Sequence, residues 1–161
     1  MLQPGRIDSF QFARSGSRLN GRLEAEQLPR LAGLRVACEE LTFELRGSES
    51  RSGKLGLRLR AEGRLTLICQ RCMGPLEIPL NLEVDLELAG TTEEIEQADD
   101  EVDRVLASRE MVASELVEDE IILALPMVPR HEDCGPSQAA RNSGRASPFE
   151  ALAGLKREAG H

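Results

Sequence analysis

A two-residue period from Lys54 to Leu88 constrains this chain more than any other feature. Leu55, Leu57, Leu59, Ala61, Leu65, Leu67 and Cys69 occupy odd positions, with Lys54, Arg58, Arg60, Glu62, Arg64 and Thr66 between them. A second run places Ile78, Leu80, Leu82, Val84, Leu86 and Leu88 against Glu77, Asn81, Glu83, Asp85 and Glu87. Successive side chains of a strand point to opposite faces, so each run predicts a strand with one buried side. Residues 70–75 join the runs, which makes them a long antiparallel hairpin. With Ile68 opposite Glu77, Arg60 faces Asp85 and Arg58 faces Glu87. Cross-strand ion pairs of this kind contribute roughly 0.2–1 kcal/mol each.

Such a hairpin needs an apolar partner, and the stretch from Leu116 to Cys134 supplies it. Ala113, Val117, Ile121 and Ala124 recur at helical spacing, and Leu116 and Leu123 widen the stripe. The spacing predicts a helix over 109–125, with Ser108 as cap and Pro126 as stop. The run from Ile121 to Leu125 is the longest unbroken apolar stretch and is expected to be buried on more than one side. Earlier in the chain, 7–12 alternates weakly and suggests an edge strand. Residues 19–23 and 36–45 suggest further strands, the second containing Cys38, and 26–34 a short helix interrupted by Pro29 and Gly33. Residues 90–103 are acidic and aperiodic, which suggests a solvated loop or frayed helix, and 102–106 suggests a short strand.

At 161 residues the chain suits one domain with a modest core. Its aromatics are four Phe, with no Trp or Tyr, which disfavours base-stacking recognition of single-stranded nucleic acid. No apolar run reaches membrane-spanning length, and the first residues lack a signal-peptide core, so a cytoplasmic protein without membrane contact is expected. The region from Glu83 to Glu120 holds 15 acidic and 2 basic residues, a balance of −13 against −8 for the whole chain, so the remainder is net +5. That asymmetry points to a polar partner, a basic protein or RNA. Residues 135–146 are small and polar and read as a flexible linker after a single domain at 1–134. At 147–158, Ser147 caps, Pro148 suits the first helical position and Glu150 completes a capping box, with Phe149, Leu152 and Leu155 on an apolar side.

Two short motifs carry potential chemistry. Cys69-Gln-Arg-Cys72 lies at the hairpin tip, followed by Gly74, which lets amide N–H groups approach the sulfurs. His131 and Cys134 form a second two-ligand turn just beyond the predicted helix. Together they make a Cys3His set suited to one structural zinc ion. Two other readings stand beside it: unbound thiols, with Cys69 in phase with the buried face, and a redox pair. A redox pair normally sits at a helix start, where the dipole lowers a thiol's pKa; a hairpin tip offers no such dipole. Lys54, Arg58, Arg60 and Arg64 suggest a phosphate-binding ridge, or more simply a face neutralised by the paired strand's acids; Arg71 has no obvious acidic neighbour. Glu118, Asp119 and Glu120 point about 100° apart on a helix, so they suit a solvated face that meets a basic partner rather than a catalytic cluster. No nucleophile triad, phosphate loop or dinucleotide fingerprint occurs, and two His leave little for acid–base work.

The CQRC pair, the segment VEDEIILALPMVPRH with its following Cys, and the terminal SPFEALAGLK together resemble the YceD family of bacteria and plastids, the large ribosomal RNA subunit accumulation proteins. The resemblance spans about 65–156 and rests on Cys69, Cys72, Glu118, Asp119, Glu120, Pro126, Pro129, Cys134, Pro148, Phe149, Leu152 and Leu155. It departs from the pattern after Cys134, where some relatives carry further cysteines; His131 is the substitute ligand here. Membership implies a non-enzymatic role in large ribosomal subunit assembly. A frequent gene neighbour encoding a large-subunit ribosomal protein further implies such a protein as partner.

The expected fold is therefore α+β: a mainly antiparallel sheet, curled towards a half-barrel, packed by the helix near 109–125 and a short C-terminal helix. The expected function is non-enzymatic support of large-subunit (23S) rRNA accumulation. It would act by binding RNA, a basic ribosomal protein, or both, with no small-molecule substrate. Arg71, Glu118, Asp119, Glu120, Phe149 and Leu152 are the expected partner-binding residues, and Cys69, Cys72, His131 and Cys134 the metal ligands. The alternatives are a dedicated chaperone of one ribosomal protein without RNA contact, and a zinc- or thiol-dependent enzyme.

Overall fold

A computed structural model describes residues 5–97 and 101–135. The elements run β1 (Arg6–Ile7), α1 (Ser9–Arg14), β2 (Arg18–Leu23), a 3-10 turn (Ala25–Gln27), α2 (Pro29–Gly33), β3 (Ala37–Glu49), β4 (Leu55–Ile68), β5 (Pro75–Ala89), α3 (Thr92–Glu96), β6 (Arg104–Leu106), β7 (Met111–Val112) and α4 (Ala113–Ala124). The fold is α+β. Its main sheet has the order β2-β3-β4-β5-β6, antiparallel except for the parallel β5–β6 pair, and β1 and β7 form a separate two-stranded sheet. The main sheet stays open, with β2 and β6 at its edges.

The long hairpin forms as its periodicity predicts, but its register is corrected. Ile68 pairs with Pro75, so Arg60 faces Glu83 and Arg58 faces Asp85, two residues from the expected positions. The cause is the turn: β5 begins at Pro75 itself, which tightens the connection. A slip of two keeps every side chain on its face, so the inner side still carries buried Leu57, Leu59, Ala61, Leu65, Leu67, Leu80, Leu86 and Leu88. From β3, Leu41, Phe43 and Leu45 extend that layer.

Three helices close the core. The α1 helix packs on β3 and β4. A methyl group on Gly47 would stand 2.4 Å from the Phe12 carbonyl oxygen, so only glycine permits that approach. The expected strand at 7–12 is thus corrected to two strand residues followed by a helix. Asp8 caps it by accepting from the Gln11 N–H at 3.0 Å, local grammar that outweighs a weak alternation.

The α4 helix is also shorter than the expected 109–125. Residues 111–112 pair with β1, and Ser108 is held by Ser9 rather than capping the helix. The Ser9 hydroxyl, fully buried, donates to the Ser108 carbonyl at 3.0 Å and accepts from its N–H at 2.9 Å. The helix stops as predicted, because Leu125 precedes proline and turns extended, with ψ of 140°. It buries Ala113, Leu116, Val117 and Ile121. The expectation that the whole 121–125 run is buried fails at Leu123, which is 77% exposed, and at Ala124, also exposed although the helical spacing put it on the core stripe. One helical face meets the core, and Leu123 lies off it. The linker expected at 135–146 continues beyond Gly135 outside the described residues, as does the helix expected at 147–158 with Phe149 and Leu152.

Candidate metal centre

At the β4–β5 connection the backbone folds into a tight knuckle. The Met73 N–H donates to the Cys69 carbonyl at 2.9 Å, and the Cys69 N–H donates to that of Gly74 at 2.9 Å. Met73 adopts the left-handed φ of 61° that closes the turn, a duty the sequence had suggested for Gly74. The turn aims N–H groups at both sulfurs: Arg71 to Cys69 Sγ and Gly74 to Cys72 Sγ, each at 3.4 Å.

The segment after α4 is fastened onto this knuckle. Gln70 N–H donates to the Pro129 carbonyl at 2.8 Å, His131 N–H to Cys69 Sγ at 3.4 Å, and the Arg71 guanidinium to the Cys134 carbonyl at 2.9 Å. These contacts bring Cys69, Cys72, His131 and Cys134 together, with one ligand atom from each lying within 4.8 Å of all the others. Cys69 Sγ and Cys134 Sγ are 3.5 Å apart, and Cys72 Sγ and His131 Nδ1 are 3.3 Å apart.

The donor set fits a metal such as zinc. Zinc–sulfur bonds of about 2.3 Å imply tetrahedral edges of about 3.8 Å, close to these separations. His131 Nε2 lies 2.9 Å from the Pro75 carbonyl, an acceptor only, so Nε2 carries the proton and Nδ1 presents its lone pair to the sulfurs. Burial alone would raise the Cys69 thiol. The N–H groups of Cys72, His131 and Arg71, with the Cys134 thiol, outweigh it and bring the pKa down to about 5. Burial pushes the Cys134 thiol up, and its neighbours Cys69 and Cys72 add to that. The fourth cysteine, Cys38, is buried in β3 with a raised pKa, from burial and then from Glu39, which suits an inert core thiol.

The acidic trio does not stay together. Glu118 is 1% exposed, which corrects the expectation of a solvated carboxylate. Its Oε1 accepts from the Arg30 N–H at 2.7 Å and the Leu31 N–H at 2.9 Å, and its Oε2 accepts from Arg30 Nε at 3.0 Å. Those N–H groups open α2, where Leu28 provides no side-chain cap and Pro29 has no N–H. Glu118 therefore caps a helix other than its own. Asp119 pairs with the Arg30 guanidinium and remains half exposed. Glu120 is partly buried, and its pKa is raised by burial first and then by Asp103 and Asp119. Sequence reasoning missed Arg30 altogether, because nothing local marks the partner of a carboxylate 88 residues away.

The expected phosphate ridge is largely neutralised. Arg58 bonds Asp85 at 2.6 Å, Arg60 bonds Glu83 at 2.8 Å, Lys54 meets Glu87 at 2.9 Å, and Arg64 lies 3.4 Å from Glu40. A groove of about 620 Å³ lies elsewhere, lined by Phe10, Gln11, Arg14, Ser108 and Arg109 among others, and includes none of the four candidate ligands. No described helix is long and apolar enough to cross a membrane.

No curated protein and no solved structure matches the chain. A family model does, over residues 57–156, which takes in the hairpin, the Cys3His set, α4 and the chain beyond. Its description ties the family to accumulation of the large ribosomal RNA subunit, a ribosome-biogenesis role without a known catalytic activity. Knuckle, helix and following segment thus fall within one matched span, and the chain belongs to the YceD family, described as large ribosomal RNA subunit accumulation protein.

Proposed function

We propose that this chain is a non-enzymatic cytoplasmic assembly factor that supports accumulation of large-subunit (23S) rRNA by binding RNA, a basic ribosomal protein, or both. The observation that carries this reading is the closed donor set. All four groups around the knuckle are protein side chains, the arrangement of a structural zinc site, whereas a catalytic zinc keeps one position for water or substrate. One structural zinc ion, held by Cys69, Cys72, His131 and Cys134, would supply cross-linking of the hairpin tip to the segment after α4. Arg71, whose side chain spans the knuckle, would meet RNA there. Asp119 and Glu120 on α4 would engage a basic ribosomal protein, with Phe149 and Leu152 as a further contact. Glu118 supports that surface from within.

Gradient sedimentation of cell extract, probed for this protein, tests the reading. Co-migration with free large subunits or their precursors is the expected result, together with a fall in 23S rRNA on depletion. Confinement to the light fractions, even when assembly is slowed, would overturn it.

A further inference from the structure

The outer face of the main sheet carries one row of charge that the fold leaves unbalanced. Across three adjacent strands, Arg18, Arg46 and Arg58 stand in register, with Asp85 at the end of the row. Neighbouring strands lie about 4.8 Å apart, and like charges directly opposite one another are destabilising. The adjoining rows avoid this: Asn20, Glu44, Arg60 and Glu83 alternate, as do Arg22, Thr42, Glu62 and Asn81. Arg18 contacts Glu44 and Arg58 contacts Asp85. Arg46, exposed between them, has no acidic partner among the described residues. Arg51, in the β3–β4 turn just beyond, is exposed and also lacks such a partner there.

We propose that this arginine row is a further RNA-contacting surface of the protein, distinct from the knuckle, with Arg46 at its centre bonding phosphate oxygens; the inference rests on the assembly role above. A guanidinium presents its donors in a plane matched to two phosphate oxygens, and among the described residues Arg46 is the member of the row that no carboxylate occupies. The surroundings favour a phosphate backbone over an acidic peptide. Asn20, Thr42, Glu44 and Ser48 flank the row, with no apolar anchor of the kind that concentrates energy in a protein interface, and phosphate contacts need none. Glu83 and Asp85 on β5 repel a polyanion, so the strand is confined to the β2–β4 side.

The test is fluorescence anisotropy of the full chain with a labelled 20-nucleotide polyuridine and with transcribed 23S rRNA, repeated over a range of salt concentrations. Arg46→Glu should weaken both at least tenfold. Arg46→Ala should lower the slope of log affinity against log salt by about 0.7–0.9, the share of one phosphate contact. Arg22→Ala, on the same face but outside the row, should change neither, and Arg46→Glu should melt no lower than wild type. Equal RNA affinity of Arg46→Glu and wild type would overturn the proposal, even with co-sedimentation intact. A loss seen with polyglutamate and not with RNA would overturn it in favour of an acidic protein. Absence of RNA binding by the wild type would end it too, leaving the assembly role to be judged by sedimentation.

Discussion

At the end of α4, soft donors from two sequence motifs converge on one point. Earlier in the same helix, Glu118 reaches across to cap α2. Both fasten α4 to the rest of the chain, and their physics differs. The Cys3His set would draw its strength from a metal and lies at the surface, where Cys72, His131 and Cys134 are only partly buried. Glu118 needs no metal, and its carboxylate is satisfied by two backbone N–H groups and a guanidinium. With zinc bound, the first fastening would be removable by a chelator, and the second only by mutation.

Metal removal should produce the largest effect. Zinc held at a thousandfold excess over its dissociation constant stabilises a fold by about 4 kcal/mol, worth on the order of 10 °C in a domain of this size. Protein purified without a histidine tag should contain stoichiometric zinc by mass spectrometry, lose it in Cys72→Ser, and melt lower by that amount on chelation. Hydrogen exchange should localise the loosening to Gln70 and His131, whose N–H groups join the two segments. Fresh protein without metal would remove the distinction between the two fastenings.

Glu118→Ala comes next, with a loss of about 2–4 kcal/mol from one helix cap and charge-assisted hydrogen bonds. Denaturant unfolding of the variant with its metal in place measures it. Glu118→Gln should lose about half as much, because its amide nitrogen cannot accept from Arg30. The Glu118 and metal losses should add, since the sites share no partner.

The same contrast explains what could be read from sequence. A CxxC on an alternating hairpin and a His-x-x-Cys after a proline-stopped helix are local patterns, and the four-ligand requirement of a zinc site suggests pairing them across the chain. The hairpin strands were legible for a related reason: a period of two survives a register error of two, so faces were right where partners were wrong. The Glu118–Arg30 contact has no such rule. Its need arises because Leu28 and Pro29 leave α2 uncapped, a deficit visible only once α2 is known to exist. Likewise Ser108 looked like a cap, and only tertiary contact shows it held by Ser9.

That serine pair is a third, uncharged fastening, between α1 and the segment before β7. Ser9→Ala removes the hydroxyl that serves both Ser108 groups, leaving its N–H unpaired in a partly buried place, and should cost about 1–2 kcal/mol in urea unfolding. A loss as large as that of Glu118→Ala would show that charge contributes nothing special to the α2 cap.

The smallest effect should have the opposite sign. Glu120 sits two residues from Glu118 on the same helix but has no cation to satisfy it among the described residues; burial, then Asp103 and Asp119, raise its pKa. For an acid whose folded pKa lies above its unfolded one, the penalty is fully present at higher pH. It fades as pH falls through the folded value and is gone below the unfolded one. Glu120→Gln should thus melt slightly above wild type at pH 7 and lose that advantage as the pH drops through the carboxylate range. A thermal melt series from pH 7 to pH 4 checks this. A variant less stable than wild type at pH 7 would mean that Glu120, like Glu118, is held by a favourable partner, and the contrast between the two carboxylates would collapse.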